Sequence, residues 1–176
     1  MPRGTGTERA FGSTPGAIAI DSTLQHVAWL DSQGNDDLQI RPFELVAPLA
    51  EPSKGPIRHW FDDLLRQARL GDLSDLAKFL EWASERGELS EISPQLLRHW
   101  ASSQFLISVE SAGALLKALE EKVSPDREFY RLLFARLLTF LTEAVRCFAA
   151  EPVSEEAARA AIFGRLSDLN SRKRAA

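Results

Sequence analysis

Ser124-Pro-Asp-Arg-Glu-Phe-Tyr-Arg-Leu-Leu-Phe-Ala-Arg-Leu-Leu-Thr-Phe-Leu-Thr-Glu-Ala-Val-Arg-Cys-Phe-Ala-Ala150 is the stretch on which the architecture of this 176-residue chain turns. Serine followed by proline is a helix cap with proline at the first helical position, and no further proline interrupts the run before Pro152. Phe129, Tyr130, Leu132, Leu133, Phe134, Leu137, Leu138, Phe140, Leu141, Val145 and Phe148 cover much more of such a helix than one stripe. A helix apolar nearly all round is one that others surround, so the sequence predicts a long central helix. The same breadth suits it to dimerisation. Cys147, the single cysteine, lies inside this run and reads as a small buried hydrophobe.

The elements before and after it follow a helical period. Ile57, Trp60, Phe61, Leu64, Leu65 and Ala68 form one stripe, with Arg58, Asp62, Asp63, Arg66 and Arg69 largely off it. Gly71 is expected to stop this helix and Asp72 to cap the next, which carries Leu73, Leu76, Ala77, Leu80 and Ala83 and ends at Gly87. Ser93-Pro94 opens a third helix, with Leu96, Leu97, Trp100 and Ala101 on its face. Val109, Ala112, Leu116, Leu119 and Val123 make a fourth stripe. After the long helix, Ser154 caps a last one reaching to about Leu169.

An echo runs through this region. Arg58-His-Trp60 returns as Arg98-His-Trp100, and Leu76-Ala-Lys-Phe-Leu-Glu81 resembles Leu115-Leu-Lys-Ala-Leu-Glu120. Two copies fall short of the three that a solenoid needs, so the echo predicts no more than two stacked helical hairpins.

The front of the chain has another character. Residues 1–16, rich in Gly, Thr, Ser, Pro and Arg, read as a flexible leader. Within 17–50, the runs Ala17-Ile-Ala-Ile20, Leu24-Gln-His-Val-Ala-Trp-Leu30 and Leu38-Gln-Ile-Arg-Pro-Phe-Glu-Leu-Val46 are short and β-prone. The turn-rich Asp31-Ser-Gln-Gly-Asn-Asp-Asp37 between the last two is a hairpin signal. A ribbon of two or three strands needs cover from the helices or from a partner. The expected fold is therefore mainly α: a five- to six-helix bundle around a long central helix, with a small N-terminal β-hairpin or ribbon. The expected divisions are a leader over 1–16, a small β element or arm over 17–50, a helical bundle domain over 56–170 and a basic tail over 171–176.

Composition narrows the class. At 44% hydrophobic and 26% charged residues the chain is neither wholly disordered nor collagen-like, and one cysteine builds no disulfide framework. The net charge of −4 speaks against a globally basic nucleic-acid binder. That figure covers a gradient: residues 1–55 and 56–122 each carry −3, whereas 123–176 carry +2 with arginine dominating the basic groups. The N-terminus has no apolar signal core and the best apolar run is interrupted by Arg131, Arg136, Glu143 and Arg146, so no membrane partner and a cytoplasmic location are expected. The weight of alanine, leucine and arginine points to a GC-rich bacterial source.

A search for chemistry finds little. There is no phosphate-binding glycine motif, no Gly-x-Ser-x-Gly and no His-Glu-x-x-His. His26, His59 and His99 fall on three different elements, and Asp62 and Asp63, as helical neighbours, point about 100° apart. No catalytic residue, metal or cofactor is implied. The tryptophans are more informative. Trp60 and Trp100 lie on apolar stripes and read as core, while Trp82 lies at the flank of its stripe near Lys78, Glu85 and Arg86. Trp82, Arg86 and Trp29 are thus the candidate anchors for a protein partner, since tryptophan and arginine are over-represented in binding hot spots. Arg159, Arg165, Arg172, Lys173 and Arg174 are the candidates for contacts to phosphates or an acidic partner.

The expectation is a non-enzymatic helical adaptor or small subunit of a bacterial multi-protein assembly, working through protein partners as a hetero- or homo-oligomer. The alternative is a nucleic-acid-associated helical protein, a regulator or small subunit of a nucleoprotein complex, using its arginine-weighted C-terminal third.

Overall fold

The computed structural model describes residues 48–85, 92–102, 107–149 and 151–175, the side chains at 84, 169, 170 and 172–175 excepted. The leader over 1–16 and the β-prone runs up to Val46 lie outside the described residues. Residues 48–50, the end of the segment expected to be β, are helical, and Leu49 and Ala50 are buried. The described residues are mainly helical and include no strand. Six helices follow: α1 Pro56–Ala68, α2 Leu73–Glu85, α3 Pro94–Ala101, α4 Val109–Ala118, α5 Pro125–Cys147 and α6 Glu155–Ala175.

Short polar side chains set the helix starts, at Asp72, Ser93 and Ser154 as the sequence predicts and at Ser108 in addition. Asp72 Oδ1 accepts from the amides of Ser74 and Asp75 at 2.7 and 2.9 Å. Ser93 Oγ accepts from Leu96 N, Ser108 Oγ from Ser111 N and Ser154 Oγ from Ala157 N, at 3.0 to 3.2 Å. Each bond satisfies an amide that the first helical turn leaves without a carbonyl.

The end of α1 differs from expectation. Gly71 is not the residue that turns the chain; Arg69 is, with φ 57° and ψ 41°. Its amide donates to Arg66 O and that of Leu70 to Leu65 O, at 3.2 and 2.9 Å, which closes the carbonyl end of the helix in the manner usually given to glycine. Gly71 serves a different need. Its amide donates to Asp75 Oδ2 at 3.0 Å, and an added Cβ would lie 2.7 Å from that oxygen.

The chain divides into two compact units, where the sequence suggested one helical domain over 56–170. One is Gly55–Arg136; the other joins the residues up to Lys54 with Leu137–Ala176. In the first unit α1 packs on α3, and α2 packs on both α3 and α4. The two Arg-His-Trp triplets lie on α1 and α3, which pack on each other, and both tryptophans are buried. Trp60 meets Phe61 edge-on, with ring centroids 4.9 Å apart.

A polar cluster joins α1 to the first turns of α5. Arg131 is buried and its guanidinium pairs with Asp63, and with Glu128 at 3.2 and 3.3 Å. Glu128 is fully buried, and its Oε1 also accepts from Gln67 Nε2 at 3.0 Å. The Trp60 indole donates to the Glu128 carbonyl at 3.0 Å, and Arg66 reaches Asp63 from the exposed rim at 2.7 Å. No described buried side-chain polar atom is left without a partner.

The second unit has its own buried row. Leu138, Leu141, Thr142 and Val145 of α5 are buried, as are Ala158, Ile162 and Leu166 of α6. The Thr142 hydroxyl donates a hydrogen bond to Leu138 O at 2.8 Å, so it sits in the interior without a lost hydrogen bond. Arg159 donates to Pro52 O at 3.1 Å and pairs with Glu155.

Two stability measurements follow. Arg131→Ala leaves the fully buried Glu128 carboxylate without its guanidinium partner and is expected to lower stability by about 3–5 kcal/mol in urea unfolding; a loss under about 1 kcal/mol would mean that water reaches Glu128. Arg69→Gly relieves a left-handed residue and is expected to raise stability by about 1 kcal/mol or less, read as a higher unfolding midpoint at unchanged slope.

Candidate interaction surface

The long helix departs most from its sequence reading. It is not buried all round. Glu128, Arg131, Leu132, Ala135, Leu138, Leu141, Thr142 and Val145 face inward. Tyr130 and Leu133 are each 40% exposed, Phe140 is 68% exposed and Phe148, just past the helix end, is 59% exposed. Leu137 and Ala144, between them on the same side, are half-buried. At 100° per residue these positions form a row roughly opposite the buried one. Two of the inward positions are charged, which is why the apolar residues outnumber the places available to them inside.

Cys147 lies in the exposed row and is itself exposed, contrary to the expectation of a buried thiol. Its neighbours at a helical spacing, Ala144 and Phe140, explain this: the residue follows the outer row and not the inner one.

Trp82 is half exposed on α2. Its ring lies 5.9 Å from that of half-buried Phe79 at a tilt of 42°, and Lys122 Nζ stands 5.8 Å over the Phe79 ring. The result is a small aromatic patch held from two sides, by an adjacent ring and a cation. Trp29 and Arg86, named with Trp82 from the sequence, lie outside the described residues.

The arginine-weighted end is arranged differently from the expected tail. α6 continues through Ala175, so positions 171–175 extend the helix beyond Leu169. Arg159 is half-buried and committed to Pro52 O and Glu155, both within its own unit. Arg165 is half-buried too. The side chains of Arg172, Lys173 and Arg174 lie outside the described residues. Among the described residues no group of three His, Cys, Asp or Glu side chains is placed to hold a metal ion. No helix among them is long and apolar enough to cross a membrane.

The exposed row was hidden in the sequence because all its members were assigned to one broad face. A signal was present. The apolar residues of α5 separate into two heptad-spaced rows, and the inner one also takes in Glu128 and Arg131.

The two faces predict opposite responses to truncation. Phe140→Ser is expected to change unfolding free energy by no more than about 0.5 kcal/mol, whereas Leu138→Ala is expected to cost about 2–5 kcal/mol. Equal losses would put Phe140 in the core. Comparison of the chain with protein-family models, curated proteins and solved structures finds no match in any of the three.

Proposed function

We propose that the protein is a non-enzymatic helical adaptor or small subunit of a cytoplasmic multi-protein assembly, acting through protein contacts. The observation that carries this reading is the row of large apolar side chains exposed on its longest described helix, Tyr130, Leu133 and Phe140, with Phe148 just past its end. Single exposed hydrophobes are ordinary, but several in register on one helix make a contiguous apolar surface of the kind that protein partners cover. The aromatic patch of Phe79 and Trp82 supports the same reading, since a partly exposed tryptophan backed by another ring is a pre-ordered anchor. In this reading the helical bundle is a scaffold that presents both surfaces. Arg159 lends no weight to the nucleic-acid alternative, because its guanidinium is already engaged within the fold.

Affinity purification of the full chain from its native host tests the proposal. A stoichiometric second protein is expected, with recovery at least tenfold lower for Trp82→Ala while the melting temperature stays nearly unchanged. Recovery of the chain alone would overturn the reading. So would binding to a labelled duplex that weakens steeply with salt and is abolished by Arg172→Ala/Lys173→Ala/Arg174→Ala.

A further inference from the structure

We infer that the exposed row of α5 is an isologous contact with a second copy of this chain, the two helices running antiparallel about a point midway between Leu137 and Phe140. The inference rests on the protein-contact reading above and names the occupant of that row. α5 is one uninterrupted helix, Pro125–Cys147, so the row is a property of a single element.

Tyr130, Leu133, Leu137, Phe140, Ala144 and Cys147 follow one another at steps of three and four, the spacing of a coiled-coil seam. The order of steps reads the same from either end. An antiparallel second copy therefore aligns every position at once, as a two-fold interface requires. Leu137 meets the second copy's Phe140, Leu133 meets its Ala144, and Tyr130 meets its Cys147. In the outer layers a large side chain faces a small one, which lets the helices approach without a clash.

Charge selects the direction. Arg136 and Glu143 lie along one flank of the row, seven residues apart, and Glu143 is exposed. Antiparallel pairing sets Arg136 of each copy beside Glu143 of the other, and does so twice. A parallel pair in register would instead set Arg136 beside Leu141 and Glu143 beside Phe148, with neither charge answered by the second copy. Such flanking pairs fix orientation and register more than strength. Glu143 already bonds Arg146 on its own helix at 3.0 Å, both side chains being open to solvent, so it has room to take a second guanidinium.

The single cysteine supplies a ruler. In the antiparallel pair the two Cys147 residues stand about 25 Å apart along the helix axis, far beyond disulfide reach. Cys147 is instead level with Tyr130 of the second copy.

The test uses the purified full chain in sedimentation velocity over a hundredfold concentration series, with copper-phenanthroline oxidation in parallel. Expected are a monomer–dimer equilibrium, at least tenfold weaker association for Glu143→Arg, and recovery in the double variant Arg136→Glu/Glu143→Arg. Oxidation is expected to leave the native chain unlinked and to link Tyr130→Cys into a covalent dimer. A melting curve on each variant excludes misfolding as the cause of lost association. A monomer at every concentration overturns the inference, as does a dimer linked through Cys147 in the native chain or a charge exchange that restores nothing. A monomer that still captures a different protein through Trp82 leaves the adaptor reading standing. A dimer of the expected polarity that recovers no other protein supports the inference and removes the adaptor.

Discussion

Arg131 takes a permanent positive charge into the interior of the Gly55–Arg136 unit, and the packing of α1 against α5 answers it. A buried guanidinium without counter-charge costs several kcal/mol, so its partners cannot be left to chance. Asp63 and Glu128 supply the charge, and Gln67 occupies a remaining lone pair of Glu128. Trp60, Asp63 and Gln67 stand at i, i+3 and i+7 on α1, so one edge of that helix makes every contact to the cluster. Apolar stripes alone tolerate sliding and rotation with modest loss. A turn of α1 by one residue would carry Asp63 about 100° away from Arg131, and the register is held by that penalty.

The exposed row follows from the same constraint. Once Glu128 and Arg131 face inward, helix geometry carries Leu132, Ala135 and Leu138 in with them. Tyr130, Leu133 and Phe140 are then turned to the opposite side, however apolar they are. The buried charges and the exposed hydrophobes are two results of one rotation of α5 about its axis. A helix that takes polar groups inside and leaves aromatic groups outside is poorly explained as a core element alone. It makes sense as an element with an external contact, which links the stability of the fold to the proposed work of the molecule.

Local signals in the chain were read correctly wherever a few adjacent residues suffice. The serine caps at 93 and 154 and the aspartate cap at 72 act through bonds to amides two or three positions on. Nothing distant is needed to make them. The inward faces of Trp60 and Trp100 were equally legible, because each stripe there is narrow and admits one orientation. Reading became ambiguous at α1's end, where Arg69 took the left-handed position two residues before the glycine. It failed on α5 and on Cys147, where the apolar residues form two rows and periodicity does not say which is buried. The candidate site was legible only in Trp82, whose place beside its stripe already set it apart.

The sequence by itself determined the presence of α1 to α6, most of their starting caps and the mainly helical class, because these depend on intervals of three or four residues and on capping hydroxyls and carboxylates. Tertiary structure decided which side of α5 meets the core, that Arg159 is spent on Pro52 and Glu155, and that Cys147 faces outward. The reason is that burial of a charged residue is settled by a partner on another helix. Asp63 lies 68 residues from Arg131 along the chain, and no local pattern in either segment announces that the two meet.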